Sequence, residues 1–486
     1  MRRGGGYCPR SLLSQKVEMS MIPGLVPRLL GVSIPRVVAF CEEERFDSCD
    51  SNCHPPIPTS KPGHGKVVFA SEVQRNSKLL NSVHPNDAVY DVAVVGAGVV
   101  GSAIAYRLSM LHGIKTILLD ENIDVGEGTS KANSAIIHTG FDADPGTLES
   151  HLLQEASQEW PSLAAALKIP YESIGALLIA TTADEKQQLE EVLSKARKNS
   201  VTDCVLLSKE RVLALDPAVT PTVLGGVLIP REAIADPFAT PIAYAEVAVE
   251  NGVDVCLGAS VVAIQRKNKS YNEVVLRPSP KDCPPSTSTS PDIIIKAKHI
   301  INAAGLGSRD LALTYSKSVA RELEINPRRG EFLVLSPQIV NHIILPLPNE
   351  LTKGVLVSPT IFGNTLCGPT AVDLPVSMCR DVPKVTQFGL DEVKKGGGRL
   401  VPSTLTTDIV TTYAGHRCNR KGGSYFVHHD REGGVTTIGG VRSTGLSTSP
   451  SFSRYVVDQI FPNARIRQDA VRTRERYPSW YEKRLA

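Results

Sequence analysis

The sequence predicts a doubly wound α/β domain carrying an inserted, strand-rich α+β domain. Three observations lead to it. A β-branched strand, a glycine-rich turn, a helix and a second strand follow one another over Asp91–Asp120, the size of a βαβ unit. Strand patterns then dominate 331–369. The length of 486 residues gives room for two or three domains.

The elements are expected in this order. Residues 1–89 are rich in Pro, Ser, Asn and charge and read as leader and linker, with order beginning at Tyr90. Asp91–Val95 is a buried parallel strand, Ser102–Leu111 a helix and Thr116–Leu119 the next strand. Leu189, Val192, Leu193 and Ala196 recur at helical spacing within Asp184–Lys198. Asp236-Pro237 caps and opens a helix running to about Val249. Val253–Leu257, Ser260–Gln265 and Glu273–Leu276 are strands, and the Pro/Ser/Thr-rich stretch 278–291 is a surface loop. Ile293–Lys296 and His299–Ala303 are two strands joined by a turn, and Gly396–Gly398 marks a loop.

Composition excludes several classes. Net charge is +3 with no basic block, and aromatics are 5%, so neither nucleic-acid binding nor a base-stacking platform is expected. The ten cysteines include no CxxC pair, so no zinc or other metal site and no thioredoxin-like motif is expected. Those of the core read as buried thiols in a reducing compartment. No apolar run is long enough to span a bilayer. Arg2, Arg3, Arg10 and Lys16 stand in an acid-poor start, the composition of a mitochondrial transit segment, the alternative being a cytoplasmic protein with a disordered extension.

Gly96, Gly98 and Gly101 form a GxGxxG run between strand and helix, the context a dinucleotide site requires. The first glycine permits the turn, the second lets a pyrophosphate approach, and the third lets helix and strand pack. The helix N-terminus offers N–H groups to phosphate. Asp120 follows Gly101 by 19 residues, where a carboxylate can accept from ribose hydroxyls and would repel a 2′-phosphate. A single such fingerprint suits a flavin rather than a flavin and NAD together.

Thr129–Phe141 (Thr-Ser-Lys-Ala-Asn-Ser-Ala-Ile-Ile-His-Thr-Gly-Phe) resembles the flavin-contacting segment of FAD-dependent glycerol-3-phosphate oxidases and dehydrogenases and the related L-2-hydroxyglutarate dehydrogenases, all of the D-amino-acid-oxidase-like superfamily. Ile301–Ser308, Pro327–Phe332, Ser358–Asn364 with Gly368–Thr370, and Gly439–Gly445 resemble the glycerol-phosphate branch in the same order. The resemblance implies FAD as cofactor, a Rossmann-like FAD-binding domain over 90–165, 230–322 and 411–465, a substrate domain over 166–229 and 323–410, and a tail at 466–486. It implies oxidation of sn-glycerol 3-phosphate to dihydroxyacetone phosphate, with hydride passing to flavin N5.

The resemblance also assigns roles. Histidine titrates near neutrality, so His138, which matches the family's histidine beside the flavin, is the expected general base. Ser130, Asn133 and Ser134 would hydrogen-bond flavin or substrate. Arg417 matches the family's substrate-anion arginine, since a guanidinium fork suits a phosphate. Arg329 and Arg442 are further candidates, with Ser443 as an added donor. Gly305, Gly440 and Gly445 would bring backbone donors to the flavin. Residues 415–418 read Gly-His-Arg-Cys where the oxidase branch often has Gly-Ser-Arg-Pro, a difference that bears on the substrate. Covalent attachment through Cys418 is not expected. The alternatives are L-2-hydroxyglutarate or another 2-hydroxy or amino acid as substrate, and a non-catalytic flavin-binding regulatory module. Oxygen or a quinone would be the acceptor, the latter with peripheral membrane contact.

Overall fold

A computed structural model describes residues 63–70, 89–267, 270–279, 292–347 and 354–485. Most of the span read as leader, including its basic start, and most of the loop 278–291 lie outside the described residues.

The fingerprint strand Val89–Val95 sits inside a sheet of six parallel strands. Their order is Val67–Phe69, Asp254–Leu257, Thr116–Leu119, Val89–Val95, Ile293–Asn302 and Val435–Gly439. Strands buried on both faces should read as unbroken apolar runs, and Thr-Ile-Leu-Leu at 116–119 is buried at every position. Antiparallel neighbours extend the sheet at one side, Asn272–Pro278 with Ala259–Arg266, and Phe426–Asp430. The helix Val99–Ser109 packs against Ala239–Glu250 and Gly445–Ile460. Ala239–Glu250 is buried at all but its last residue, as a helix apolar around its whole circumference must be. The helix opens at Ala239 rather than at Pro237, and Asp236 stands just ahead of it, its Oδ1 accepting from the N–H groups of Phe238 (2.8 Å) and Ala239 (2.9 Å).

A second sheet of nine strands forms the inserted body. Ile325–Ser336 runs through it, flanked along its length by Asp408–Arg420 and on its other side by Val372–Asp373 and Thr365–Gly368. A third, small sheet joins Ile136–Ile137, Ala233–Ala235 and Tyr171–Glu172.

Four expectations are corrected. Val67–Phe69, inside the supposed leader, is an edge strand, held by the Lys66 N–H donating to Asp254 Oδ1 at 2.8 Å. Ile293–Asn302 is one continuous strand, because Lys296 and Ala297 and then His299 to Asn302 keep a single parallel register with the fingerprint strand. Gly396–Gly398 lie within the helix Gln387–Leu400, which the missing side chains let settle onto the second sheet: a Cβ on Gly396 would stand 2.6 Å from Val355 Cβ. The domain boundary drawn at 411 falls inside Asp408–Arg420, a strand of the second sheet, so the return to the FAD-type sheet comes after Arg420.

The tail is also ordered. Val471 exchanges hydrogen bonds with the Asn251 amide at 2.7 and 2.8 Å, and Arg474 Nε meets Glu246 at 2.5 Å on the buried helix. Ser479–Leu485 is a helix, and Trp480 lies 4.7 Å, centroid to centroid, from Phe362 of the inserted body.

Candidate active site

The glycine turn at the carboxyl end of the fingerprint strand has three distinct environments. Gly96 has φ +102°, and a Cβ there would approach the Ala303 carbonyl oxygen to 2.5 Å. A Cβ on Gly101 would fall 1.8 Å from the Gly96 oxygen. Both glycines are demanded by protein packing. Gly98 is different: its only near neighbour would be Ser130 Oγ at 3.1 Å, so the approach above it is clear of backbone. Ser130 Oγ accepts from the Val99 N–H at 2.9 Å at the helix start. That first turn carries no acid, leaving its dipole for an anion. Asp120 turns one oxygen to the Ala97 N–H (2.6 Å) and the other to the N–H groups of Asn122 (2.8 Å). Burial pushes its pKa up despite those hydrogen bonds.

Gly305 (φ +56°) and Gly440 (φ +67°) end the parallel strands Ile293–Asn302 and Val435–Gly439 on the same edge of the sheet. Gly445 opens the helix Gly445–Ile460, and a Cβ on it would lie 3.9 Å from Val100 Cγ2, so two helix N-termini stand side by side there. A free glycine approach, two helix starts and a strand-end carboxylate suit the dinucleotide half of FAD.

The segment before His138 is a tight turn. The Asn133 amide donates to the Ser130 carbonyl (2.6 Å) and accepts from the Ala135 N–H (2.7 Å). Both ends of its side chain thus hold the loop, as Asn does in turns. Ala135 is left-handed at φ +60°, a cost that a residue with a Cβ bears where the surroundings dictate it. The chain then enters Ile136–Ile137 and delivers His138. Its N–H donates to Ser447 Oγ at 2.9 Å, and its Nδ1 lies 2.9 Å from Glu232 Oε2. Ser134 has no hydrogen bond to its hydroxyl among the described residues and is partly exposed beside this turn.

The arginines separate by strand alternation. Arg328 pairs in register with Arg417, and Arg329 with His416. Opposed residues of an antiparallel pair share a face, and next-door residues do not. The face of Arg417 also bears Tyr413, whose hydroxyl donates to the Asn133 carbonyl at 2.6 Å, and Gly415, where a Cβ would meet the Ala132 oxygen at 2.2 Å. Arg417 therefore shares the face that meets the flavin-type segment. It donates to the Thr370 carbonyl at 3.2 Å and has no carboxylate in ion-pair range among the described residues. Burial, then the neighbouring Arg328, depresses its pKa to about 10. Arg328 is bound to Asp373 by two hydrogen bonds of 2.6 and 2.8 Å.

Arg329 points to the opposite face, 3.6 Å from Glu331 beneath Gln387–Leu400, and is removed as a second anion ligand beside Arg417. Arg442 is in an ion pair with Glu149 at 3.3 Å, with Thr444 on the same carboxylate at 2.6 Å. Its charge is already met. Ser443 is exposed. Cys418 is buried with its thiol pKa pushed up to about 12 by desolvation, the opposite of what a thiolate nucleophile needs.

Sequence reasoning did not single out Glu232, Ser447, Tyr413 or Arg328. The first lies in Pro230–Asp236, whose three-residue strand Ala-Ile-Ala carries no alternation to read. Its link to His138 exists only through strand register.

The fold and the site define a flavin enzyme, and the chain belongs to the FAD dependent oxidoreductase family, whose model matches residues 91–459. It is 33% identical over 374 residues to a glycerol 3-phosphate dehydrogenase of Caloramator mitchellensis, covering 76% of this chain and 73% of that protein. It is 31% identical to a glycerol 3-phosphate oxidase of Mycoplasma pneumoniae, covering 76% and 93%. A mitochondrial L-2-hydroxyglutarate dehydrogenase of Dictyostelium discoideum is 30% identical over 64% of this chain and 70% of that one. The fold superposes on the dithionite-reduced, FAD-bound L-alpha-glycerophosphate oxidase of Mycoplasma pneumoniae with TM-score 0.70 and 28% identity, covering 80% and 98%. FAD is the cofactor, and the family expected from Thr129–Phe141 and its companion segments is the one found.

Proposed function

We propose that this enzyme oxidises sn-glycerol 3-phosphate to dihydroxyacetone phosphate. The observation that carries the reading is Arg417: a largely buried guanidinium without a carboxylate, on the face that meets the flavin-type segment. A buried charge is stabilised when it is paired, and the missing partner is an anion on the substrate. The relatives named for glycerol 3-phosphate favour a phosphate over a second carboxylate. His138, anchored by Ser447 and Glu232, takes the hydroxyl proton. Bound FAD supplies the hydride acceptor at N5. Gly98 and the helix start of Val99 would hold its pyrophosphate, and Asp120 its ribose.

Anaerobic titration with glycerol 3-phosphate should bleach the oxidised flavin band stoichiometrically. Bleaching by L-2-hydroxyglutarate instead would transfer the reading to that relative's substrate. Readmitting air, or adding a soluble quinone, then separates the two acceptors. No helix of the described residues is long and apolar enough to cross a membrane.

A further inference from the structure

We infer that Glu232 fixes the tautomer of His138 and thereby selects Nε2 as the atom that takes the substrate's proton. This rests on the reading of His138 as the base.

The juxtaposition is built by backbone. Ile136 pairs with Ile234 and Ile137 with Ala233, antiparallel. The next pair in that register is His138 opposite Glu232, and opposed side chains share a face. Glu232 is fully buried. Its Oε1 accepts from the Thr139 N–H at 2.7 Å and the Thr139 hydroxyl at 2.9 Å, and its Oε2 meets His138 Nδ1 at 2.9 Å. The adjacent Arg231 turns away and forks onto Asp203 at 2.8 and 3.1 Å. No lysine or arginine forms an ion pair with Glu232 among the described residues, and His138 is the ionisable side chain at hydrogen-bond distance from its carboxylate.

A carboxylate oxygen only accepts, so Nδ1 must carry a hydrogen, and a neutral imidazole then has a bare Nε2. As the alcohol becomes a ketone, its hydroxyl proton passes to Nε2, while FAD, when bound, would supply the acceptor for the C–H hydride. The imidazolium formed keeps its Nδ1–H on Glu232, which opposes the new charge at a distance of one hydrogen bond. Glu232 touches neither substrate nor flavin in this scheme. It is a positioning residue.

The Glu232→Gln variant tests this because the Thr139 N–H is a fixed donor. It holds the amide oxygen at the Oε1 place, so the NH₂ group faces His138 Nδ1. The imidazole must then accept at Nδ1 and carry its hydrogen on Nε2, which blocks proton uptake there. In the flavin-loaded enzyme with ¹⁵N-histidine, assigned through His138→Asn, two-bond correlations should show Nδ1–H in the wild type and Nε2–H in Glu232→Gln. The limiting rate of anaerobic flavin reduction by glycerol 3-phosphate should fall about 10²-fold or more in the variant, with the substrate dissociation constant within about threefold. The double variant should be no slower than His138→Asn alone. Wild-type reduction by Glu232→Gln, beside a slow His138→Asn, would overturn the proposal and leave the base in place. Wild-type reduction by His138→Asn would remove the base, and this proposal with it. An Nε2–H signal in the wild type would overturn the proposal even if Glu232→Gln failed to fold.

Discussion

Replacing Arg417 by methionine should make the free enzyme more stable and a poorer catalyst. Arg417 is held near a pKa of about 10 in the fold, against an ordinary 12.5, chiefly by burial. A folded pKa below the unfolded one means that the charged form disfavours folding, fully so below pH 10, and less as pH rises toward 12.5. The difference corresponds to roughly 3 kcal/mol at neutral pH. Methionine fills similar volume without that charge but forfeits the 3.2 Å hydrogen bond to Thr370, worth about 1 kcal/mol. The net gain is roughly 2 kcal/mol, and with about 2 cal/mol/K of unfolding entropy per residue the midpoint of a chain this size should rise by only about 2 °C. Substrate binding should move the other way, by about 2–5 kcal/mol, because the anion loses its buried partner. Scanning calorimetry with saturating FAD and no substrate, beside anaerobic flavin reduction, measures both. A lower melting temperature together with an unchanged dissociation constant for glycerol 3-phosphate would refute the assignment of Arg417 as an unpaired anion site.

The glycine turn should divide under mutation. Gly101→Ala, whose Cβ would lie 1.8 Å from backbone, should yield little folded protein, whereas Gly98→Ala should fold and lose FAD affinity, as read by flavin absorbance after gel filtration. Glu246 has its pKa raised to about 7, mainly by burial and against the pull of Arg474. Its folded pKa lies above the unfolded one, so stability falls as pH rises from about 4.5 through 7. Glu246→Gln should therefore melt higher than wild type at pH 8 and alike at pH 4, by thermal scans at matched ionic strength. Residues 1–89 joined to a fluorescent protein should enter mitochondria if their basic, acid-poor start is a transit segment. Diffuse cytoplasmic fluorescence would count against that address.

What sequence shows here is what local chemistry controls. The turn at Gly96–Gly101 is written in adjacent residues and stands where it was expected, and Asp236 does bind the N–H groups ahead of its helix, though the helix opens two residues late, at Ala239. The segment carrying His138 was legible as a pattern, but the purpose of its parts was not. Asn133 reads as a flavin ligand, and what the sequence did not show is that its side chain closes a turn on Ser130 and Ala135. Arg329 and Arg417 look equivalent until register assigns them to opposite faces of one strand pair. Gly396–Gly398 look like a break because three glycines weaken a helix, yet close approach to Val355 and Leu405 overrides that propensity. Glu232 was invisible because nothing near it in sequence announces a partner 94 positions away.

The ordered tail bears on how the chain is made. Glu246 sits on the buried helix Ala239–Glu250 and Asn251 just past its end, and their partners Arg467, Val471 and Arg474 all come after Phe461 in the sequence. Trp480 and Tyr481 complete the apolar cluster of the inserted body later still. A ribosome-bound chain lacking these residues leaves polar groups of one core and aromatic contacts of the other unmet. Completion of both bodies thus waits on the residues after Phe461, and a premature stop there would release a protein with every residue of the proposed catalytic site and neither core closed.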